Sequence, residues 1–469
     1  MPQAKPKPDF ADNTQKGLCW PATARLVVHR TWIYRLARDV GFCLRDRRGR
    51  PWLMACLISL APARRNDVAS RNPFRLVIVH VALLNIAWAS GGAFVGAYLL
   101  RLGFSLPQAI ASYAGIVCFR FVVRFAWIEV VRRLGFRRGL VLGTLLCALE
   151  FPILLGVDNP WGLAGWIVVA AAAESLYWPL HHAVTAVACN DAGRGRQLGL
   201  RQSVLAMTSV IGPLTGGLVI AHLGAKAIFA ASAVMCLAGI LPILLMGDIQ
   251  AGTVPSLRRA LDGADRRSLA VFAADGWICS GYITAWGLVL FSTLGDYEAF
   301  GWVASMAALA SAGASFACGR ALDRGNRHRY LKIASAVTAG SILLRAFSFG
   351  SPTLSVVASV SGAAVSALYA PVVMSMIYAR AKSSGEPYRF HLALEPAWDI
   401  GMIGGCAVAA CVAAWCPVPS LCMLPSVLGV VVVYLGVVPA ASHPTGRRSW
   451  RSRSAWTARS WSGGTCRTQ

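Results

Sequence analysis

Two carboxylates lie inside long apolar runs, where an ionised group must either be held by a partner or carry a function. Glu174 stands about 13 residues into the run 161–188, roughly 20 Å along a helix and close to the middle of a bilayer. Tyr177 and His181 follow at helical spacing, so the three share one face, with Trp178 beside them. Asp275 lies roughly 10 Å into the run 268–292, and Cys279, Tyr282 and Trp286 continue its stripe. A carboxylate so placed can bind a proton or a cationic substrate and release it when its surroundings change. The plainer alternative is that Glu174 pairs with an internal arginine or bonds to backbone. His80, Asn85 and Trp88 of the run 76–100 are further cavity-lining candidates, each of which could equally be packing.

Arg120 and Arg124 are one helical turn apart in the run 106–127. Arg124 is expected to snorkel to the membrane surface, and the deeper Arg120 to pair with Glu150 of the next run. Glu395 and Asp399, also one turn apart, could receive Arg324 or Arg327. Tyr369 and Tyr378 read as packing aromatics. Other chemistry is missing from the sequence: there is no GxxxxGK[ST] loop for ATP, no GxSxG, HExxH or paired CxxC, and His181-His182 lacks metal-ligand spacing. No enzyme, no catalytic residue, no metal and no bound cofactor are expected, and a proton gradient is the expected drive.

The elements that must position these residues are membrane-length. Of 469 residues 56% are hydrophobic and 14% charged, too apolar for a soluble protein. A net charge of +25 would fit a nucleic-acid partner, but the basic residues sit in short clusters between apolar runs, which is a topology pattern. The fourteen cysteines read as small core hydrophobes, with pairing of Cys416 and Cys422 across an external loop as the lesser alternative. Twelve runs of bilayer length fall near 76–100, 106–127, 138–157, 161–188, 199–222, 226–247, 268–292, 299–318, 330–350, 353–379, 393–416 and 420–440. Alternate connectors hold Arg132, Arg133, Arg137 and Arg138, then Arg194, Arg196 and Arg201, then Arg258, Arg259, Arg266 and Arg267, and so on to Arg380, Lys382 and Arg389. The connectors between them carry Arg101 and Lys226 and otherwise acids such as Asp158, Asp296 and Glu298. That alternation predicts an even number of spans with both termini cytoplasmic.

The domain reading follows: 1–73 a basic extension, disordered and cytoplasmic; 74–247 a six-helix bundle; 248–267 a cytoplasmic linker; 268–441 a second six-helix bundle; 442–469 a disordered basic tail. Residues 1–73 hold fourteen Lys or Arg, and their apolar stretch Trp52 to Leu60 is too short to span. The first spans of the two bundles, at 76 and 268, begin 192 residues apart, the mark of an internal duplication.

The connector Cys318–Tyr330 reads CGRALDRGNRHRY, one acid among several arginines between two apolar runs. It resembles the loop signature of the major facilitator superfamily, Gly-x-Leu-x-Asp-Arg-x-Gly-Arg-Arg: Gly319, Asp323, Arg324 and Arg327 match, while Ala321, Asn326 and His328 depart. A weaker copy at Arg133-Leu-Gly135-Phe-Arg137-Arg138 lies 191 residues earlier, with Arg132 where the family has Asp and Ile128 where it has the first Gly. Glu129, four residues before Arg133, can supply the missing carboxylate. The stretch Gly199 to Gly217 resembles the superfamily's antiporter signature, through Gly199, Gly212, Pro213, Gly216 and Gly217, with Thr208 out of place. Read from the residues alone, Thr208, Gly212 and Gly216 recur every four positions and make a flat face for close helix packing.

The resemblance implies an all-α transporter of twelve transmembrane helices in two six-helix halves, rocking between inward- and outward-open states, with spans one, four, seven and ten around a central cavity. It makes Glu174 and Asp275 the expected proton or substrate-coupling acids, and Asp323 with Arg324 and Arg327 an inner gate latch. The leading expectation is proton-coupled efflux of a small organic compound by a monomer in the bilayer of a bacterial inner membrane, with no nucleic-acid partner. Symport uptake of a small metabolite and a non-transporting polytopic receptor are the alternatives.

Overall fold

The computed structural model describes residues 73–437, apart from 189–193, most of 248–262, 325–326 and 384–386; the side chains of 194–199, 316–329 and 381–388, among others, also lie outside the described residues. The extension 1–72, the tail 442–469, most of the linker and the Gly319–Arg327 latch therefore fall outside them. Among the described residues every regular element is helical. In order these are α1 (Pro73–Ser90), α2 (Val95–Arg101), α3 (Leu106–Leu154), α4 (Pro160–Ala188), α5 (Arg194–Leu244), α6 (Arg266–Cys279), α7 (Trp286–Leu294), α8 (Tyr297–Arg324), α9 (Arg327–Ala346), α10 (Pro352–Ser383), α11 (Pro387–Trp415) and α12 (Ser426–Val437). A π turn, Ser280–Ala285, joins α6 to α7. Six stretches among the described residues are long and apolar enough to cross a membrane: Pro73–Arg101, Pro160–Thr185, Leu200–Leu244, Arg266–Leu294, Arg389–Trp415 and Pro419–Gly436. Hydrocarbon offers backbone groups no hydrogen-bond partner, so helices that satisfy themselves are the form such runs must take.

Two of the helices are pairs bent at a glycine. Gly135 has φ 79° and ψ 169°, and Gly224 has φ 82° and ψ 172°. Here α3a and α3b denote the parts before and after Gly135, and α5a and α5b those before and after Gly224. The runs expected as separate spans are thus joined by single-residue reversals rather than by loops. The basic connector at Arg132–Arg138 has its own ion pairs, Arg132 to Glu129 at 2.6 Å and Arg133 to Glu129 at 2.8 Å. The Arg133 hydrogen bond holds the exposed Glu129 carboxyl below its ordinary range. Arg137 caps the end of α5b, donating to the carbonyls of Ile243 at 3.3 Å and Leu244 at 2.5 Å.

α3 starts at a capping box, in which Ser105 Oγ accepts from Gln108 N and Gln108 Oε1 accepts from Ser105 N at 2.8 Å. α6 starts at Asp265, which accepts from Ser268 N at 3.1 Å and from Arg380 at 2.7 Å, tying α6 to the C-terminal end of α10. Partial burial works against the Asp265 charge, but the Ser268 and Arg380 bonds outweigh it and leave this carboxyl below its usual range. Cys416 and Cys422 are free thiols.

Glycines set how closely the helices approach. A Cβ at Gly212 would stand 2.4 Å from Ala89 Cβ, and one at Gly216 would stand 2.5 Å from Ser90 O, so the α5a stripe lies against α1. A Cβ at Gly301 of α8 would meet Pro213 O at 2.5 Å, and one at Gly276 or Gly401 would strike the α11 or α6 backbone. Gly199 lies at the undescribed start of that stripe. Thr208, the departure from the signature, receives Asn85 Nδ2 of α1 at 2.5 Å and so adds a polar tie to the same seam.

The bend at Gly135 is a backbone demand, since no atom lies within 4 Å of its would-be Cβ. Gly135→Ala should destabilise the protein by about 1–3 kcal/mol. Gly340→Ala in the regular α9, where the would-be Cβ also has open space, should be neutral or stabilising by up to about 1 kcal/mol. Thermal unfolding in detergent measures both, and equal shifts would refute the backbone argument.

Candidate functional site

Five charged side chains meet at the seam between the two halves. Arg120 and Arg124 project from one face of α3a, and Glu395 and Asp399 from one face of α11. Their pairing is antiparallel: Arg120 meets Asp399, Arg124 meets Glu395, and Ile128 shares an apolar cluster with Leu392. Asp399 is fully buried and is the hub. It accepts from Arg120 Nε at 2.9 Å and from Arg124 Nη2 at 2.6 Å, and Arg120 Nη2 also bonds to it. Arg124 Nη1 donates to Glu395 at 3.1 Å. Arg120 Nη1 donates to Glu174 of α4 at 2.9 Å.

This differs from the expectations for these arginines. Arg124 does not snorkel: it is 3% exposed, because α11 brings two carboxylates within its reach. Arg120 pairs with Glu174 and Asp399, not Glu150, and α3a engages both Glu395 and Asp399; the side chains of Arg324 and Arg327 lie outside the described residues. Glu174 pairs with an internal arginine, the plainer of its two readings, and its side chain is 35% exposed.

Asp275 of α6 joins the same system through Trp398. The indole Nε1 donates to Asp275 Oδ2 at 3.1 Å, and Tyr369 OH of α10 donates to Oδ1 at 3.3 Å. The Arg120 guanidinium lies 4.9 Å from the Trp398 ring centre, a cation–π contact. A continuous path therefore runs Glu174–Arg120–Trp398–Asp275, from the first half to the second. No basic side chain pairs with Asp275 among the described residues. The joint sets two guanidiniums against three carboxylates, with Asp275 a fourth acid nearby. Negative charge is in excess, and a proton or an organic cation is what such a site can accept.

The other candidates form two clusters. Trp88 and Trp178 stack at 5.1 Å, and Tyr177, His181 and His80 are linked by hydrogen bonds in the interior of the first half. In the second half Arg345 of α9, a residue the sequence reading left unmentioned, lies 3.9 Å over the Tyr282 ring and 5.0 Å over that of Trp286, and donates to Tyr282 O at 2.8 Å. A lone arginine in an apolar run was its signal. Trp398 carried no such signal, because one tryptophan among sixteen is not distinguishable by type. No cluster of three or more His, Cys, Asp or Glu able to hold a metal occurs among the described residues.

Removing the hub should strip each of two buried guanidiniums of a carboxylate partner, leaving Arg120 with Glu174 and Arg124 with Glu395. Asp399→Ala is expected to cost about 1–3 kcal/mol or more, whereas Glu129→Ala, at an exposed pair, should leave the unfolding temperature unchanged. Unfolding curves of the two variants in one detergent decide this, and similar shifts would show that Asp399 holds nothing together.

Residues 119–295 match the family model described as Major Facilitator Superfamily. No curated protein matches the sequence significantly. Among solved structures, the nucleoside transporter NupG aligns with a TM-score of 0.60 at 13% identity, over 78% of this chain and 98% of its own. The human organic anion transporter MFSD10 (TETRAN) gives 0.57 at 13%, over 80% of this chain and 100% of its own. The E. coli fucose:proton symporter FucP gives 0.52 at 14%, over 78% and 97%. Residues 119–295 are thus similar in sequence to the Major Facilitator Superfamily, and the helices around them share the fold of these solved transporters.

Proposed function

We propose that this membrane transporter is a proton-coupled exporter of a small organic compound, working by alternating access in a bacterial inner membrane with both termini cytoplasmic. The observation that carries the coupling is the joint at Arg120. One guanidinium binds a carboxylate of its own half, Glu174, and a carboxylate of the other half, Asp399. The two halves cannot part along α3a and α11 while that bond holds. Protonating Glu174 or Asp399, or bringing in a cationic substrate, changes what Arg120 must neutralise and so changes the stability of the joint. Asp275, held by two neutral donors, is the second acid able to take up the proton. Asp323, Arg324 and Arg327 remain the proposed inner latch, with Gly319 at the helix end.

Export rather than uptake is favoured by the α5a stripe, whose order resembles an antiporter signature and which packs against α1 and α8. Symport uptake is the second reading, favoured by the shared fold with a fucose:proton symporter.

The test is substrate-elicited proton movement in proteoliposomes, screened over a panel of organic cations, sugars and nucleosides. Wild type should move protons with at least one compound, and Glu174→Gln or Asp275→Asn should lose that signal. Proton movement undiminished in both variants would remove these acids from the mechanism. Flux of no compound, with or without protons, would favour the receptor reading.

A further inference from the structure

The interior of the first half holds a second polar system that the carboxylate joint does not use. Arg201 Nη2 of α5a lies 3.1 Å from His181 Nε2. His181 Nδ1 lies 3.3 Å from Tyr177 OH, Tyr177 OH lies 3.2 Å from His80 Nε2, and His80 Nδ1 lies 2.8 Å from the Gly239 carbonyl of α5b. His80, Tyr177 and His181 are each 2% exposed or less.

The two ends settle the direction of every bond. A guanidinium only donates, so His181 Nε2 accepts and the ring's proton is on Nδ1. A carbonyl only accepts, so His80 Nδ1 carries the proton and its Nε2 accepts. Tyr177 then donates its one O–H to His80 and accepts from His181. The donor and acceptor roles set by the two ends meet at the Tyr177 hydroxyl without conflict. With both histidines neutral, each ring nitrogen is used once and the row points one way, from Arg201 to Gly239.

We propose that His80, Tyr177 and His181 form a proton-binding site in the first half, separate from the carboxylate joint, whose occupancy releases Arg201. The filled row has no ring lone pair to spare. A proton entering from solvent forms a bond to His181 Nε2, and that breaks the bond Arg201 made there. Two cationic N–H groups then face each other in a buried place, and the Arg201 side chain must move off α4. Arg201 thus holds the inner end of α5a to α4 only while the row is neutral. Among the described residues, the charged and titratable groups facing the row are Arg201 of α5a, His182 of α4, Cys147 of α3b, Cys236 of α5b and His80 of α1 itself. Glu395 of α11 faces the neighbouring His182. The inference stands whether or not Glu174 and Asp275 couple to transport.

The test is nitrogen-15 NMR of the full chain, labelled at its eight histidines and held in lipid nanodiscs. His80→Gln and His181→Gln assign the two signals by their disappearance. At about pH 8 both should be neutral with the proton on Nδ1. On acidification to about pH 4, below the ordinary histidine range, both should gain cationic character at one shared midpoint, because they share one added proton. Tyr177→Phe should split that midpoint in two. An Nε2–H tautomer at either histidine at the higher pH, separate midpoints in the wild type, or no protonation across the range would each overturn the proposal. If Tyr177→Phe does not fold, the wild-type tautomers and midpoints still decide.

Discussion

A buried carboxylate shared by two arginines is the constraint on which this architecture turns. Asp399 has no access to water, and Arg120 and Arg124 are nearly as deeply placed. In such a setting a charge lacking its partner costs several kcal/mol, so α3a and α11 are bound to keep their register. Because those helices belong to different halves, the ion cluster works as a joint and not as an internal brace. Three carboxylates meet two guanidiniums there, so acidic groups are in excess.

Close packing by small residues carries the rest of the geometry. Gly276 and Gly401 bring α6 against α11, which puts Asp275 within reach of Trp398. Gly212 and Gly216 bring α5a against α1, and Gly301 brings α8 against α5a. In a bilayer the tails compete equally for apolar surface, so backbone approach and polar ties decide which helices meet. The hydrogen-bonded row from Arg201 to Gly239 and the Asn85–Thr208 bond are ties of that kind inside the first half.

Much of this was readable from residue type and spacing. Glu174 and Asp275 stood out because an acid in an apolar run is rare, and the Gly212–Gly217 stripe because its period matches a helix face. Glu129 supplied the carboxylate expected for Arg133. What was not readable was partnership across the chain. Arg120 and Asp399 are 279 positions apart, and no periodicity within either run says which distant helix lies opposite. The pairing with Glu150 failed for that reason: it assumed sequence neighbours, while the antiparallel seam with α11 supplied a better acid. The expected loops at 128–137 and near 224 became single-glycine bends because an apolar pattern marks lengths, not the dihedral angles of one residue.

If the Arg120–Asp399 joint holds the halves together, loosening it must expose both of its faces at once. Hydrogen–deuterium exchange of the protein in nanodiscs, read on peptides from α3a and α11, measures this directly. Exchange in both helices should rise together in Asp399→Asn relative to wild type at the same pH. Unchanged exchange in α3a and α11 in a folded Asp399→Asn would contradict the account, because the halves would then be held by something other than this joint.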